Sequence, residues 1–183
     1  MKQKLLIVTS NPMKFRELGS RLGEFFDCEM VSFDEPEIQG TAEEISLHKM
    51  KRAYEVFKQP VLVDDTSVHL GDLNGFPGPY MKDMFKYMSP YEIGIKFAGS
   101  TMKAVCRLGL MRGEDDFIVA EGVINGTVIP PKNNDFKDRH FDLFLQLDGT
   151  NKPLIEFSDE EKNKISHRGK AMDNLIELVK KLS

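Results

Sequence analysis

"PVLVDDTS", residues 60–67, sets three β-favouring apolar residues against two adjacent carboxylates. Val61, Leu62 and Val63 read as a strand inside a core, because so short an unbroken apolar run leaves no polar face. Asp64 and Asp65 stand where that run ends. Two explanations apply there: a strand leaving the core for a solvated turn, or acids placed for chemistry. If the strand persists through them, successive side chains point to opposite faces, and the two acids serve different tasks.

Working outward, Leu5 to Val8 is a second apolar run with β-branched residues, punctuated at once by "TSNPMK". The pattern predicts a helix from Met13 to Leu22. In "GTAEEISLHKMKRAYEVF", Thr41 and Glu44 form a capping box, and Leu47, Met50, Tyr54 and Phe57 recur at helical spacing. The first third therefore reads strand, helix, connection, helix, strand. "LNGFPGPYMKDMF" crowds glycines and prolines into a loop before a helical stretch, and Ser89, Pro90 and Glu92 announce another helix. From Met102 to Phe144 the texture is that of strands: Ala104, Cys106, Leu108 and Leu110 alternate, "FIVAEGVINGTVI" follows, then "FDLFLQL". These are expected to be antiparallel neighbours joined by short turns. Two helical pieces close the chain, one capped by Ser158 with Glu161, the other striped by Met172, Leu175, Ile176, Val179 and Leu182. The expected fold is α/β, a mixed sheet flanked by helices.

The chain has 183 residues, of which 40% are apolar, enough for a single domain with a real core. A net charge of −4 argues against a surface for long nucleic acid, although lysines can still gather in one local pocket. Cys28 and Cys106 are too few for a disulfide framework and lack metal-ligand spacing. The apolar run in "MKQKLLIVTSN" is too short for a signal sequence or a membrane span, so the expectation is a cytoplasmic protein without membrane association.

Three polar clusters sit where elements begin or end: "TSNPMK" at 9–14, "DDTS" at 64–67 and "SHRGK" at 166–170. Each alone could be a turn or a cap. Together they fit a phosphate ligand, since sheets of this kind bind ligands beyond strand ends and helix N-termini offer free N–H groups and a positive dipole. Asn11 follows the first strand and opens a helix, with Lys14 in its first turn, though without the spacing of a P-loop. Phosphates held by lysines commonly arrive with Mg²⁺, which takes few protein carboxylates. Lys49 lies in line with Ile45, Ala53 and Val56, beside the apolar stripe, where a solvated lysine stem is the commoner outcome.

"TSNPMKFRE", "PEIQGTAEEIS…K", "PVLVDDTSV…LNGFPGPYMKDMF" and "EKNKISHRGKA" stand in the order and spacing of the inosine triphosphate pyrophosphatase family, also called Ham1-like, which the chain resembles over nearly its whole length. The resemblance implies an elongated α/β fold with two lobes around a central nucleotide-binding cleft, a homodimer, and Mg²⁺-dependent hydrolysis of ITP, dITP and XTP to monophosphate and pyrophosphate. By position, Thr9, Asn11 and Lys14 correspond to the triphosphate loop, and Lys49, Lys82 and Lys162 to further nucleotide ligands. Glu37 corresponds to the metal-binding glutamate and Asp65 to the metal ligand or general base, with Thr66 beside it. His167 and Arg168 match the pair that contacts base and phosphates. Asp64 is a supporting acid whose role stays open.

The chain departs from the family at "DFKDRHFDLFLQLDG", residues 135–149, where an aromatic-acid-proline segment contacts the base. Aligned from the right, Phe141 and Asp142 are the aromatic-acid pair and Leu143 replaces the proline. Aligned from the left, Phe136 is the aromatic residue. "PPKNN" at 130–134 also lacks a family glycine. Two other readings therefore stand beside the first: the same hydrolysis with another base choice, and nucleotide binding without catalysis.

Overall fold

The computed structural model describes residues 2–132 and 141–182, apart from the side chain of Leu182. Its elements are β1 (Gln3–Val8), α1 (Pro12–Leu22), β2 (Phe26–Val31), α2 (Ala42–Phe57), β3 (Val61–Leu70), β4 (Pro77–Gly78), α3 (Met81–Tyr87), α4 (Pro90–Lys96), β5 (Thr101–Met111), β6 (Phe117–Val128), β7 (Leu145–Leu147), α5 (Asp159–Ile165) and α6 (His167–Leu182). The strands form one seven-stranded sheet in the order β2-β1-β3-β5-β6-β7, with β4 paired to β3. β1 runs parallel to β2 and β3, whereas β3 with β4 and β6 with β7 are antiparallel. The sheet is mixed and helix-flanked, as expected. Among the described residues, no helix is long and apolar enough to cross a membrane.

The chain divides into two compact units. The first comprises Met1–Asp65, Cys106–Gly122 and Arg168–Ser183; the second comprises Thr66–Val105 and Val123–His167.

In the first unit, the pleat explains why β1 is apolar without interruption from Leu5 to Val8. Leu5 and Ile7 pack with Leu18 and Leu22 of α1 and with Ala171, Met172, Leu175 and Val179 of α6. Leu6 and Val8 pack with Met50 and Ala53 of α2. Both faces of the strand are covered, so neither tolerates a polar residue. Each fully buried Leu or Ile contributes roughly 1.5–3 kcal/mol. β3 repeats the division, with Leu62 on the α1/α6 side and Val61 and Val63 on the α2 side. Gly109 of β5 admits Met50 to this layer: a Cβ there would lie 2.8 Å from Met50 Sδ and 3.1 Å from Val63 Cγ2.

The second unit buries Val68, Leu70, Met102, Ala104, Ile124 and Val128 of its strands against Met81 and Phe85 of α3, Ile93 of α4, and Phe144. The crowded loop before α3 takes left-handed backbone at Asn74 (φ 50°), Gly75 (φ 93°) and Gly78 (φ 58°), conformations that glycine and asparagine adopt most readily. His69 Nδ1 donates to the Gly75 carbonyl at 3.1 Å and ties the loop to β3.

All three capping boxes form, at Thr41, Ser89 and Ser158. Of the two readings of the acids, the persisting strand holds: β3 runs on to Leu70 as the sheet neighbour of β5, with β4 paired at Val68 and His69. Three expectations change. The connection between α1 and α2 contains β2, an edge strand too polar to show an apolar pattern. α2 buries Ile45, Met50 and Ala53 while Leu47 is 36% exposed, so its inner face lies on the line shared with Lys49. "FDLFLQL" yields only the three-residue β7, preceded by a 3-10 turn at Phe141–Leu143.

Candidate active site

The first cluster follows the carboxyl end of β1. Thr9 Oγ1 accepts from the Asn11 backbone N–H at 3.1 Å, and Asn11 Oδ1 accepts from the N–H of Met13 at 2.9 Å, capping α1. Pro12 begins the helix where a missing N–H costs nothing, and no acid occupies the first turn to offset the positive pole. Lys14 stands within that turn. This end of the unit suits an anion.

β3 supplies the acids beside it. Val63 is the last residue of β3 registered on β1, opposite Val8, so Asp64 is the first beyond the parallel pairing. From there the alternation set up by the core continues. Asp64 follows Leu62 to the α1/α6 side, where Lys14 Nζ lies 3.6 Å from Oδ1 and Arg168 Nε donates to Oδ2 at 2.7 Å. Arg168 Nη1 also donates to Glu17 Oε2 at 3.0 Å, and the buried Cys106 thiol lies 3.7 Å from Asp64 Oδ1. With its side chain 2% exposed, Asp64 depends on these cations. Burial pulls the Arg168 guanidinium down, but Asp64, aided by Glu17, more than reverses this and holds it above the ordinary arginine value. Burial first and Asp64 second push the Cys106 thiol well up, so it stays protonated.

Asp65 follows Val63 to the other side and meets α2. Lys49 Nζ donates to Asp65 Oδ1 at 2.6 Å and lies 3.9 Å from Glu37 Oε1. Burial lowers the Lys49 ammonium's affinity for its proton, yet Asp65, with Glu37 and Asp64, outweighs this and leaves it above the ordinary lysine value. The expected solvated stem is instead a paired, largely buried cation. Asp65 Oδ2 is buried and has no hydrogen-bond partner. Such an oxygen is costly unless a water or cation meets it. Among the described residues no three His, Cys, Asp or Glu side chains converge as a ready-made cage. Asp65 and Glu37 are the two carboxylates here that could hold a hard divalent ion, which would need water and phosphate oxygens to complete it.

The second unit holds its own group. Thr66 Oγ1 lies 3.5 Å from His167 Nε2, and the buried His167 ring meets Phe141 edge-on with centroids 5.3 Å apart. Lys162 Nζ donates to Asp142 Oδ2 at 2.9 Å. An aromatic face, an imidazole and an acid-lysine pair can stack on a planar heterocycle and bond its edge. Lys82 is exposed at the start of α3 and pairs with none of these groups. Phe136 lies outside the described residues.

Glu17 is the participant that motif reading missed. It stands three positions after Lys14 on α1, spacing that places both on one helical face, and this was the available signal.

Two neighbouring acids, one held by Arg168 with Lys14 of α1's first turn and the other by Lys49, define beside the α1 N-terminus a site of the class that handles polyanionic ligands. The chain belongs to the Ham1 family, whose family model matches residues 5–178. It is 36% identical over 171 residues to the inosine triphosphate pyrophosphatase of Schizosaccharomyces pombe, covering 91% of this chain and 89% of that protein. The protein of the same name from Pyricularia oryzae is 33% identical over 172 residues, covering 92% and 89%. Among solved structures, the HAM1 protein of Coxiella burnetii superposes with a TM-score of 0.82 at 21% identity, covering 98% of this chain and 99% of that one. That likeness establishes the fold. A dITP/XTP pyrophosphatase from Mycobacterium abscessus matches with a TM-score of 0.62 at 25% identity, covering 94% and 98%.

Proposed function

We propose that the protein is a Mg²⁺-dependent nucleoside-triphosphate pyrophosphatase that hydrolyses ITP, dITP and XTP to the monophosphate and pyrophosphate, clearing deaminated purines from the nucleotide pool. The observation that carries this reading is Asp65: a half-buried carboxylate with one oxygen on Lys49 and the other, buried, without a partner. The names of the relatives agree with it. The reading includes a cytoplasmic homodimer, for which sedimentation of the purified protein tests the assembly.

A triphosphate carries about four negative charges, so cleaving between its α- and β-phosphates needs charge neutralisation and an aligned water more than a covalent nucleophile. Lys14 and Lys49 bring the neutralising charge, and Thr9 and Asn11 shape the helix N-terminus that receives phosphate oxygens. Asp65 Oδ2 orients the attacking water and takes its proton. Mg²⁺ held by Asp65 and Glu37 would add Lewis-acid charge stabilisation. Arg168 spends two N–H groups on Asp64 and Glu17 and has others left for the nucleotide. In the second unit, Phe141 and His167 flank the base, Asp142 accepts from its ring N–H, and Thr66, Lys82 and Lys162 add polar contacts.

Asp142 is also the residue through which a 6-keto purine would be told from adenine, since an acceptor facing a ring nitrogen without hydrogen is left unpaired. The unusual 135–143 segment favours one second reading, the same hydrolysis with a broader base choice. Steady-state rates on ITP, XTP, GTP, ATP and pyrimidine triphosphates, scored for pyrophosphate rather than phosphate, decide between them. Preference for ITP and XTP supports the first, and comparable rates on all support the second. No pyrophosphate from any would leave a binding protein without catalysis.

A further inference from the structure

Lys49 does more than await a phosphate. Its ammonium stands against the two carboxylates that fit the divalent ion, 2.6 Å from Asp65 Oδ1 and 3.9 Å from Glu37 Oε1. A divalent cation approaching the same oxygens meets a unit positive charge at contact range; screening is weak on the Asp65 side, where Lys49 and Asp65 are 25% and 18% exposed, and stronger at Glu37, which is 56% exposed. The other oxygen, Asp65 Oδ2, has no hydrogen-bond partner, but it belongs to the same carboxylate, so a cation meeting it still stands close to the ammonium. A triphosphate changes the balance. Its oxygens are alternative partners for the ammonium, and a lysine stem with four rotatable carbons can swing to them without backbone movement.

We infer that Lys49 is a resident counter-ion that blocks the metal position at Asp65 and Glu37 until a polyphosphate draws it off, so that divalent ion and nucleotide enter together. The inference rests on the proposed reading in taking the ligand to be a polyphosphate. The resting pair keeps Asp65 Oδ1 neutralised. It also ties formation of the metal site to the arrival of substrate. Lys14 on Asp64 repeats the arrangement more loosely, at 3.6 Å.

The test is Mn²⁺ titration by calorimetry, without nucleotide, of the wild-type protein and of Lys49→Met and Lys49→Gln, each checked for folding by circular dichroism. Removing the ammonium is expected to tighten Mn²⁺ binding by at least about tenfold, and Glu37→Gln added to Lys49→Met is expected to reverse that gain. A gain of affinity is not something structural damage produces. Unchanged or weaker Mn²⁺ binding in the folded variants overturns the inference. If neither variant folds, NMR of the lysine ammonium groups of wild type carries the test: inorganic tripolyphosphate alone should shift the Lys49 signal, and an unmoved signal overturns the inference equally. Pyrophosphate release from ITP by wild type is scored separately. Activity with no Mn²⁺ gain sinks the counter-ion role alone, whereas a Mn²⁺ gain with no pyrophosphate from any nucleotide sinks the pyrophosphatase reading and leaves the counter-ion.

Discussion

Arg168 donates from Nε to Asp64 Oδ2 at 2.7 Å, and this bond gives Asp64 a task that its neighbour Asp65 does not share. Asp64 stands at the meeting of α1, α6 and β3, holding Arg168 in the first turn of α6 and the lysine of α1's first turn. Asp65, one position on, answers to α2 through Lys49. The pleat of one strand thus gives the two acids different partners on opposite faces.

Replacing Asp64 by Ala should destabilise the fold strongly. Arg168 would keep a buried charge with only Glu17 to meet it, and breaking a buried pair from one side costs about 3–5 kcal/mol. For a chain of this size the expected fall in Tm is on the order of 10 °C. Thermal melts check this, and an unchanged Tm would show that Asp64 does not anchor Arg168.

Asp65→Asn should fold normally and turn over slowly. The amide keeps the volume of the carboxylate but cannot take a proton from water, a role worth roughly 10²–10⁴ in rate. Pyrophosphate release from ITP measures the loss. Retention of the wild-type rate would remove Asp65 from the chemistry.

The stability owed to the Lys49 ion pair should persist to high pH. Folding raises the affinity of Lys49 for its proton above the ordinary value of 10.5, so the pair contributes fully below that pH and is lost as pH rises through the higher folded value. Comparing the Tm of wild type and Lys49→Met from neutral to strongly alkaline pH, without added metal, should show a constant gap that closes only above about 10.5. A gap that closes near neutrality would contradict the pairing.

Asp142→Ala should flatten the preference for 6-keto purines, raising the ATP rate relative to ITP, while pyrophosphate remains the product. A mutant with the wild-type ITP to ATP ratio would place base selection elsewhere.

Gly126→Ala tests the packing of β6 on β7. A Cβ there would lie 2.0 Å from the Gln146 backbone oxygen, which cannot rotate away, so β7 must shift. The expected cost is about 1–3 kcal/mol, read from urea denaturation.

What the sequence made legible, and what it hid, follows from the range of each interaction. The capping boxes at Thr41, Ser89 and Ser158 are local and could be read directly. Alternation along β3 anticipated that Asp64 and Asp65 would part company. Which cation each acid would hold depended on which helix covers which face, and no local pattern states that. α2 shows the same limit: two apolar lines run along it, and only the sheet decides that Ile45 and Ala53 face inward while Leu47 does not. Among site residues, Asn11, Lys14, Lys49, Asp64, Asp65 and Arg168 were visible as motif positions. Glu17 closes the quoted motif "TSNPMKFRE", but its partner Arg168, 151 residues away in the chain, could not be read from it.

The division of the chain into interleaved units has a consequence for how the protein can be made and degraded. Each unit is assembled from separated segments, with the crossings falling inside β3, β5 and β6 and at the His167–Arg168 peptide. During synthesis from the N-terminus, the first unit therefore cannot be completed until α6 emerges, after all of the second unit has been translated. A truncation within α6 removes Met172, Leu175 or Val179 from the first unit's core, and so takes away the oldest-made part of the protein by deleting its last.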